Sequence, residues 1–308
     1  MTQALNKNFP WFHSLWKFSR PHTIIGTTLS TLALYLIALA SFELSPGTNN
    51  LLVLLGSWLA CICGNIYIVG LNQLEDIAID EINKPHLPLA AGEFSLFQGR
   101  MIVAITGILA LVLAGVLGFW LFLTVAVSLA IGTAYSLPPV RLKRFPFLAA
   151  LCIFTVRGMI VNLGLFLHFS SKLNGEEILT STVWVLTLFI LIFTIAIAIF
   201  KDVPDMEGDK QYNIQTLTLL VGKRTVFNLA CGIIVFCYVA IVVSAWLLLP
   251  ELNRWLVSIS HLGLLGLLWW RSQQVDLENK IAIARFYQFI WKLFFLEYLI
   301  FPALCLIK

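Results

Sequence analysis

The chain has 308 residues, 59% of them hydrophobic and 12% charged, with a formal net charge of +4 and a mean hydropathy of +0.90. An ordinary soluble domain carries about 25% charged residues, so this composition excludes that class and indicates an all-α polytopic membrane protein. No linker, low-complexity tract or fixed-period repeat divides the chain, which reads as one unit over 1–308.

Residues 1–22 set Trp11, Phe12, Trp16 and Phe18 among Lys7, Lys17 and Arg20. They lack the apolar core and small-residue cleavage site of a signal peptide, and an interfacial amphipathic helix is expected instead. Nine apolar segments follow, near 23–42, 50–71, 98–117, 118–136, 147–169, 180–200, 225–249, 253–270 and 286–306. Each approaches the roughly 20 residues that a helix needs to span a bilayer. The third and fourth are nearly continuous, which requires a tight turn around Gly115 to Gly118. The six cysteines all lie in apolar stretches and read as packing residues, not as a disulfide framework or zinc site. With nine spans, the N-terminus and the loops 2–3, 4–5, 6–7 and 8–9 share one side with 15 of the 20 basic residues. The positive-inside rule places that side in the cytoplasm.

Two acidic runs fall on the same side. The first is Asn72-Gln73-Leu74-Glu75-Asp76-Ile77-Ala78-Ile79-Asp80. The second is Lys201-Asp202-Val203-Pro204-Asp205-Met206-Glu207-Gly208-Asp209. If the second span continues as a helix past residue 71, Asn72, Asp76 and Asp80 are spaced i, i+4, i+8 on one face. Asp202, Asp205 and Asp209 are spaced i, i+3, i+7. Pro85 and Pro88 then end the first helix. Hard oxygen donors without His or Cys suit magnesium, which is held by few carboxylates plus substrate phosphate oxygens. Solvated acidic loops are the alternative. Lys84 follows the first run, Lys201 opens the second, and the loop Tyr135 to Arg144 contains Arg141 and Lys143. Cations beside carboxylates suit a diphosphate, although positive-inside topology alone also explains them. Arg157 lies inside the fifth apolar segment, where a charge indicates a functional site: it binds an anionic group or pairs with an Asp. Asn162, five residues on, is either a substrate contact or a helix–helix hydrogen-bond partner.

The run Asn72 to Asp80, the following Asn83-Lys84-Pro85, the Tyr135 to Arg144 loop and the run Asp202 to Asp209 resemble the UbiA superfamily of intramembrane aromatic prenyltransferases over nearly the whole chain. The resemblance implies nine transmembrane helices in a bundle with a central cavity open to the cytoplasmic side. It also implies two magnesium ions held by Asn72, Asp76, Asp80, Asp202, Asp205 and Asp209. Gln73 stands where many members carry Asp, and His86 to Gly92 departs from an Arg-Pro-x-Pro-Ser-Gly-like segment. Both departures are similar to the homogentisate prenyltransferase branch, as are Ser19 to Thr23, Lys201 to Asp205 and Phe286 to Lys292.

That branch implies transfer of a phytyl group from its diphosphate to homogentisate with decarboxylation, giving 2-methyl-6-phytylhydroquinone on the tocopherol route. Lys84, Tyr135, Arg141, Lys143 and Lys201 would contact the donor, Arg157, Arg20 and His22 the acceptor, and Gln73 and Asn162 one or other substrate. A geranylgeranyl or solanesyl donor, and 4-hydroxybenzoate or a chlorophyllide as acceptor, remain open. From another class, intramembrane carboxylates can serve a cation-coupled transporter. The setting implied is a cyanobacterial plasma or thylakoid membrane, with the lipid bilayer as the surrounding partner and no protein or nucleic-acid partner.

Overall fold

A computed structural model describes residues 10–201, 203, 206 and 217–307. No strand occurs among the described residues. In chain order the helices are α1 (Pro10–Phe18), α2 (Pro21–Ser41), α3 (Thr48–Glu75), α4 (Ile77–Asn83), α5 (Leu96–Leu117), α6 (Phe119–Ser136), α7 (Pro146–Ile153), α8 (Val161–Asn174), α9 (Ser181–Phe200), α10 (Leu217–Val221), α11 (Lys223–Leu247), α12 (Arg254–Ser272) and α13 (Lys280–Leu306). A helix bonds its own backbone, which is why long apolar segments adopt it in hydrocarbon.

The chain is an all-helical, multi-pass membrane protein. Eight described helices are long and apolar enough to cross a bilayer. The eighth expected span, α12, is helical where the sequence places it but does not belong to those eight. Ser258, Ser260 and His261 occupy its middle, and Arg254 and Arg271 its ends.

Local chemistry fixes the helix ends. Ser95 and Gln98 form a reciprocal capping box at the start of α5. Thr180, Asn253 and Asn279 cap α9, α12 and α13. The tight turn between α5 and α6 falls on Gly118, whose φ of 146° suits glycine. The fifth span is not one regular helix. A π-helical stretch, Phe154–Ile160, joins α7 to α8 and places Arg157 at its centre.

Two compact units make up the chain: residues 1–35, 45–156 and 164–178, and residues 36–44, 157–163 and 179–308. In the first, α3 packs against α5 and α6. A Cβ on Gly107 of α5 would lie 2.6 Å from the Tyr67 ring of α3, so the absence of a side chain permits this helix contact. At the end of α1, Phe18 is buried with Leu71, Leu89, Phe94 and Val103. In the second unit, aromatic rings fill the core. Phe189 and Phe193 of α9 pack on Tyr238 of α11, and Phe193 also meets Phe294 of α13. A fully buried polar link joins α12 to α13, with His261 Nε2 at 3.2 Å from Glu297 Oε1.

Candidate active site

The first acidic run does not continue as one helix. α3 ends at Glu75, Asp76 takes φ −117° and ψ 16°, and α4 restarts at Ile77. The expected straight stripe through Asn72, Asp76 and Asp80 is therefore bent at its middle member. The cause lies in the loop after α6. Arg141 Nη2 donates to Asp76 Oδ1 at 3.0 Å and to the Glu75 carbonyl at 3.3 Å, while Lys143 Nζ donates to Asp76 Oδ2 at 2.6 Å. Two cations on one carboxylate, with a helix-end carbonyl capped by the same guanidinium, favour the break over another regular turn. Arg141 itself adopts a left-handed backbone, φ 37°.

Asp80 is arranged differently. It is 3% exposed, and its Oδ1 lies 3.6 Å from Lys84 Nζ. Its Oδ2 is buried with no hydrogen-bond partner among the described residues. A buried carboxylate oxygen left without a donor is costly unless a cation or donor reaches it. Asn72 Oδ1 accepts from Arg20 Nη2 at 3.3 Å. Burial lowers the pKa of the Arg20 guanidinium, and the nearby carboxylates of Asp80 and Asp76 oppose that effect. Tyr135, on the last turn of α6, is close enough to Asp76 and Arg20 to feel their charges. The first unit thus brings together Arg20, Asn72, Asp76, Asp80, Lys84, Tyr135, Arg141 and Lys143.

Other expected site residues are engaged elsewhere. Gln73 is 1% exposed and donates to the carbonyls of Phe18 and Val69 at 2.7 and 3.3 Å, so its amide nitrogen faces backbone. His22 lies on the exposed first turn of α2. Asn162 is fully buried. Its amide donates to the Gly158 and Arg157 carbonyls at 2.8 and 3.2 Å, and its oxygen accepts from the Tyr298 hydroxyl at 3.1 Å. These bonds satisfy carbonyls of the π-helical stretch and tie it to α13, which favours the helix–helix reading over the substrate contact.

Arg157 belongs to the second unit, with its guanidinium carbon 5.3 Å from the centre of the Trp291 ring. No carboxylate lies within ion-pair distance of it among the described residues. Lys201 is exposed at the end of α9. Asp202, Asp205 and Asp209 lie outside the described residues.

One cluster escaped the sequence reading. Lys17 and Ser14 of α1 both donate to the Glu93 carboxylate. Burial acts to raise the Glu93 pKa, but the hydrogen bonds from Lys17 and Ser14, and the charges of Lys17 and His13, outweigh it and hold the pKa below the ordinary value. A lone acid between Gly92 and Phe94, facing an amphipathic basic helix, was the available signal.

No three His, Cys, Asp or Glu residues among those described stand close enough to hold a metal by themselves. The donors present nonetheless fit a hard cation that takes few protein ligands. They are all oxygens, and Asp80 Oδ2 has no other partner.

The sequence profile of the UbiA prenyltransferase family matches residues 28–293. The chain is 60% identical over 293 residues to homogentisate phytyltransferase of Synechocystis sp., covering 94% of each chain. It is 42% identical to homogentisate phytyltransferase 1 of Arabidopsis thaliana over 94% of this chain and 75% of that one. At 39% identity it is similar to homogentisate solanesyltransferase of the same plant, over 95% of this chain and 76% of that one. A solved UbiA homolog from Archaeoglobus fulgidus, bound to GPP and Mg2+, shares the fold at a TM-score of 0.61 and 16% identity, over 96% of this chain and all of that one. By profile, by relatives that span most of both chains and by fold, the chain belongs to the UbiA prenyltransferase family.

Proposed function

We propose that the protein transfers a phytyl group from its diphosphate to homogentisate with loss of carbon dioxide, giving 2-methyl-6-phytylhydroquinone. The likeness to the Synechocystis enzyme supports this donor and acceptor. The observation that carries the site is the buried Asp80 oxygen without a partner, in the same cluster as Arg20, Asn72 and Lys84.

In the reaction the donor's C–O bond breaks and releases diphosphate, a ring carbon of the acceptor bonds to the allylic carbon and loses its proton, and the acetate side chain loses carbon dioxide and gains a proton. Negative charge grows on the diphosphate as the bond breaks, so fixed positive groups aimed there lower the barrier. Arg20, which meets Asn72, and Lys84, which lies 3.6 Å from Asp80, are the cations we assign to it. Arg141 and Lys143 hold Asp76, and through it the bend that carries Asp80. Tyr135 supplies a hydroxyl beside the same cluster.

Magnesium, when bound, would offset the negative charge of the diphosphate, and Asp80 and Asn72 would be the oxygen donors of the first run for it. Asp202, Asp205 and Asp209 would hold a second ion, which makes two ions in all. The half-buried Arg157 would receive the carboxylate of homogentisate.

The test is turnover by the purified protein in liposomes, with labelled phytyl, geranylgeranyl or solanesyl diphosphate offered with homogentisate or 4-hydroxybenzoate. Magnesium-dependent turnover fastest with phytyl diphosphate and homogentisate is expected. Faster turnover with 4-hydroxybenzoate would overturn the acceptor, and equal effects of Arg157→Ala on donor and acceptor KM would overturn the role of Arg157.

A further inference from the structure

We propose that Gln73 is a positioning residue for Arg20: its amide grips the end of α1, so that the left-handed turn which follows delivers the Arg20 guanidinium to Asn72 and the first acidic run. The inference rests on reading that run as the diphosphate site.

Both hydrogen-bond partners of the Gln73 Nε2 are carbonyl oxygens, those of Phe18 and Val69. Carbonyls only accept, so the amide orientation is fixed by its surroundings. Phe18 is the last residue of α1, and a carbonyl at that position has no partner within its own helix. The Phe18 ring is held by the same turn of α3, since a Cβ on Gly70 would lie 2.7 Å from it. Side chain and carbonyl of one residue are thus fixed by Gly70 and Gln73.

Two residues later the backbone at Arg20 has φ 52°, a conformation that L-residues other than Gly rarely adopt. The turn is closed by Arg20 N–H donating to the Lys17 carbonyl at 3.1 Å and by the Thr23 hydroxyl donating to the Arg20 carbonyl at 2.8 Å. It leads to the Arg20 bond with Asn72 Oδ1. Asn72 and Gln73 are consecutive on α3 and so face about 100° apart. Gln73 holds the end of α1, and its neighbour meets the guanidinium that α1 presents. The Gln73 Oε1 is buried without a partner. A residue present for packing alone would not carry that cost. An acid at position 73 would set a carboxylate against two carbonyl oxygens and could not grip α1 in this way.

The test is a double-mutant cycle on the liposome-reconstituted protein with phytyl diphosphate and homogentisate. Gln73→Glu keeps the side-chain shape and removes the donor. A roughly tenfold rise in donor KM is expected, the scale of one lost hydrogen bond, with acceptor KM little changed. In an Arg20→Ala background the same substitution should add almost nothing, because its effect passes through Arg20. Additive losses, an equal rise in both KM values or unchanged kinetics would overturn the proposal. If Gln73→Glu does not fold, Gln73→Met, which removes the donor without adding charge, carries the same cycle. Absence of prenyl transfer by the wild-type protein would instead refute the diphosphate reading.

Discussion

Asp76 and Asp80 are four residues apart, and their surroundings give them opposite balances of stability and function. Asp76 is held by two cations. Removing its charge leaves Arg141 and Lys143 without their anion, so Asp76→Asn should lower the melting temperature as well as the activity. Asp80 keeps a buried oxygen with no donor among the described residues. Asp80→Asn places an N–H₂ there and relieves the burial of charge, so stability should hold or rise while magnesium-dependent turnover falls by about 100-fold or more. Melting curves and initial rates on both variants check this. A parallel loss of stability in the two would refute the distinction. The residue types at these positions were legible in the sequence, because their spacing and chemistry are local. The allocation was not: which carboxylate is neutralised from within depends on Arg141 and Lys143, which lie some 65 residues away along the chain. Gln73 and Asn162 were likewise recognisable as polar residues in apolar settings, but only the fold shows that their bonds run to backbone carbonyls and to Tyr298.

At the scale of elements, the apolar segments predicted the long helices because hydrocarbon leaves the backbone no other partner. Irregularities within them were not legible. The break at Asp76 is held by Arg141 and Lys143 from the loop after α6, and the π-helical stretch, which contains Gly158, is held by Asn162, itself fixed by Tyr298 of α13. The attachment of α1 gives a pH-dependent consequence. The Glu93 pKa is held below its ordinary value by Lys17 and Ser14. A carboxyl depressed on folding contributes stability that is present above the unfolded value, about 4.3, and is lost as pH falls through the lower folded value. Hydrogen-exchange protection of residues 11–18 should therefore persist at neutral pH and decline in that acidic window. In Glu93→Gln it should already be reduced at neutral pH. Equal protection in both proteins would refute the link.

For the whole molecule, the open question is the status of α12. Its 19 residues extend about 28 Å at 1.5 Å per residue, close to the roughly 30 Å of a bilayer core, yet it falls outside the eight helices apolar enough to cross. Nine crossings put the two chain ends on opposite sides, and eight put them on the same side. We propose nine, because that count gathers the basic loops on one face. A reporter fused after Ile307 should then be exported while one fused after Lys143 stays in the cytoplasm. A cytoplasmic signal from both would show that α12 does not cross. Composition marked the long apolar helices, but it is weakest where serines and a buried His261–Glu297 pair replace aliphatic residues.

α1 exposes Trp11, Phe12 and Trp16 on one side and ends two residues before Arg20. This helix of nine residues carries apolar rings along its flank and leads into the turn that holds Arg20, the cation proposed for the diphosphate. The bilayer that surrounds those rings and the guanidinium that would meet the phosphorylated substrate are thus joined by one short helix, so acyl-chain length is a variable to hold fixed when the two KM values are compared.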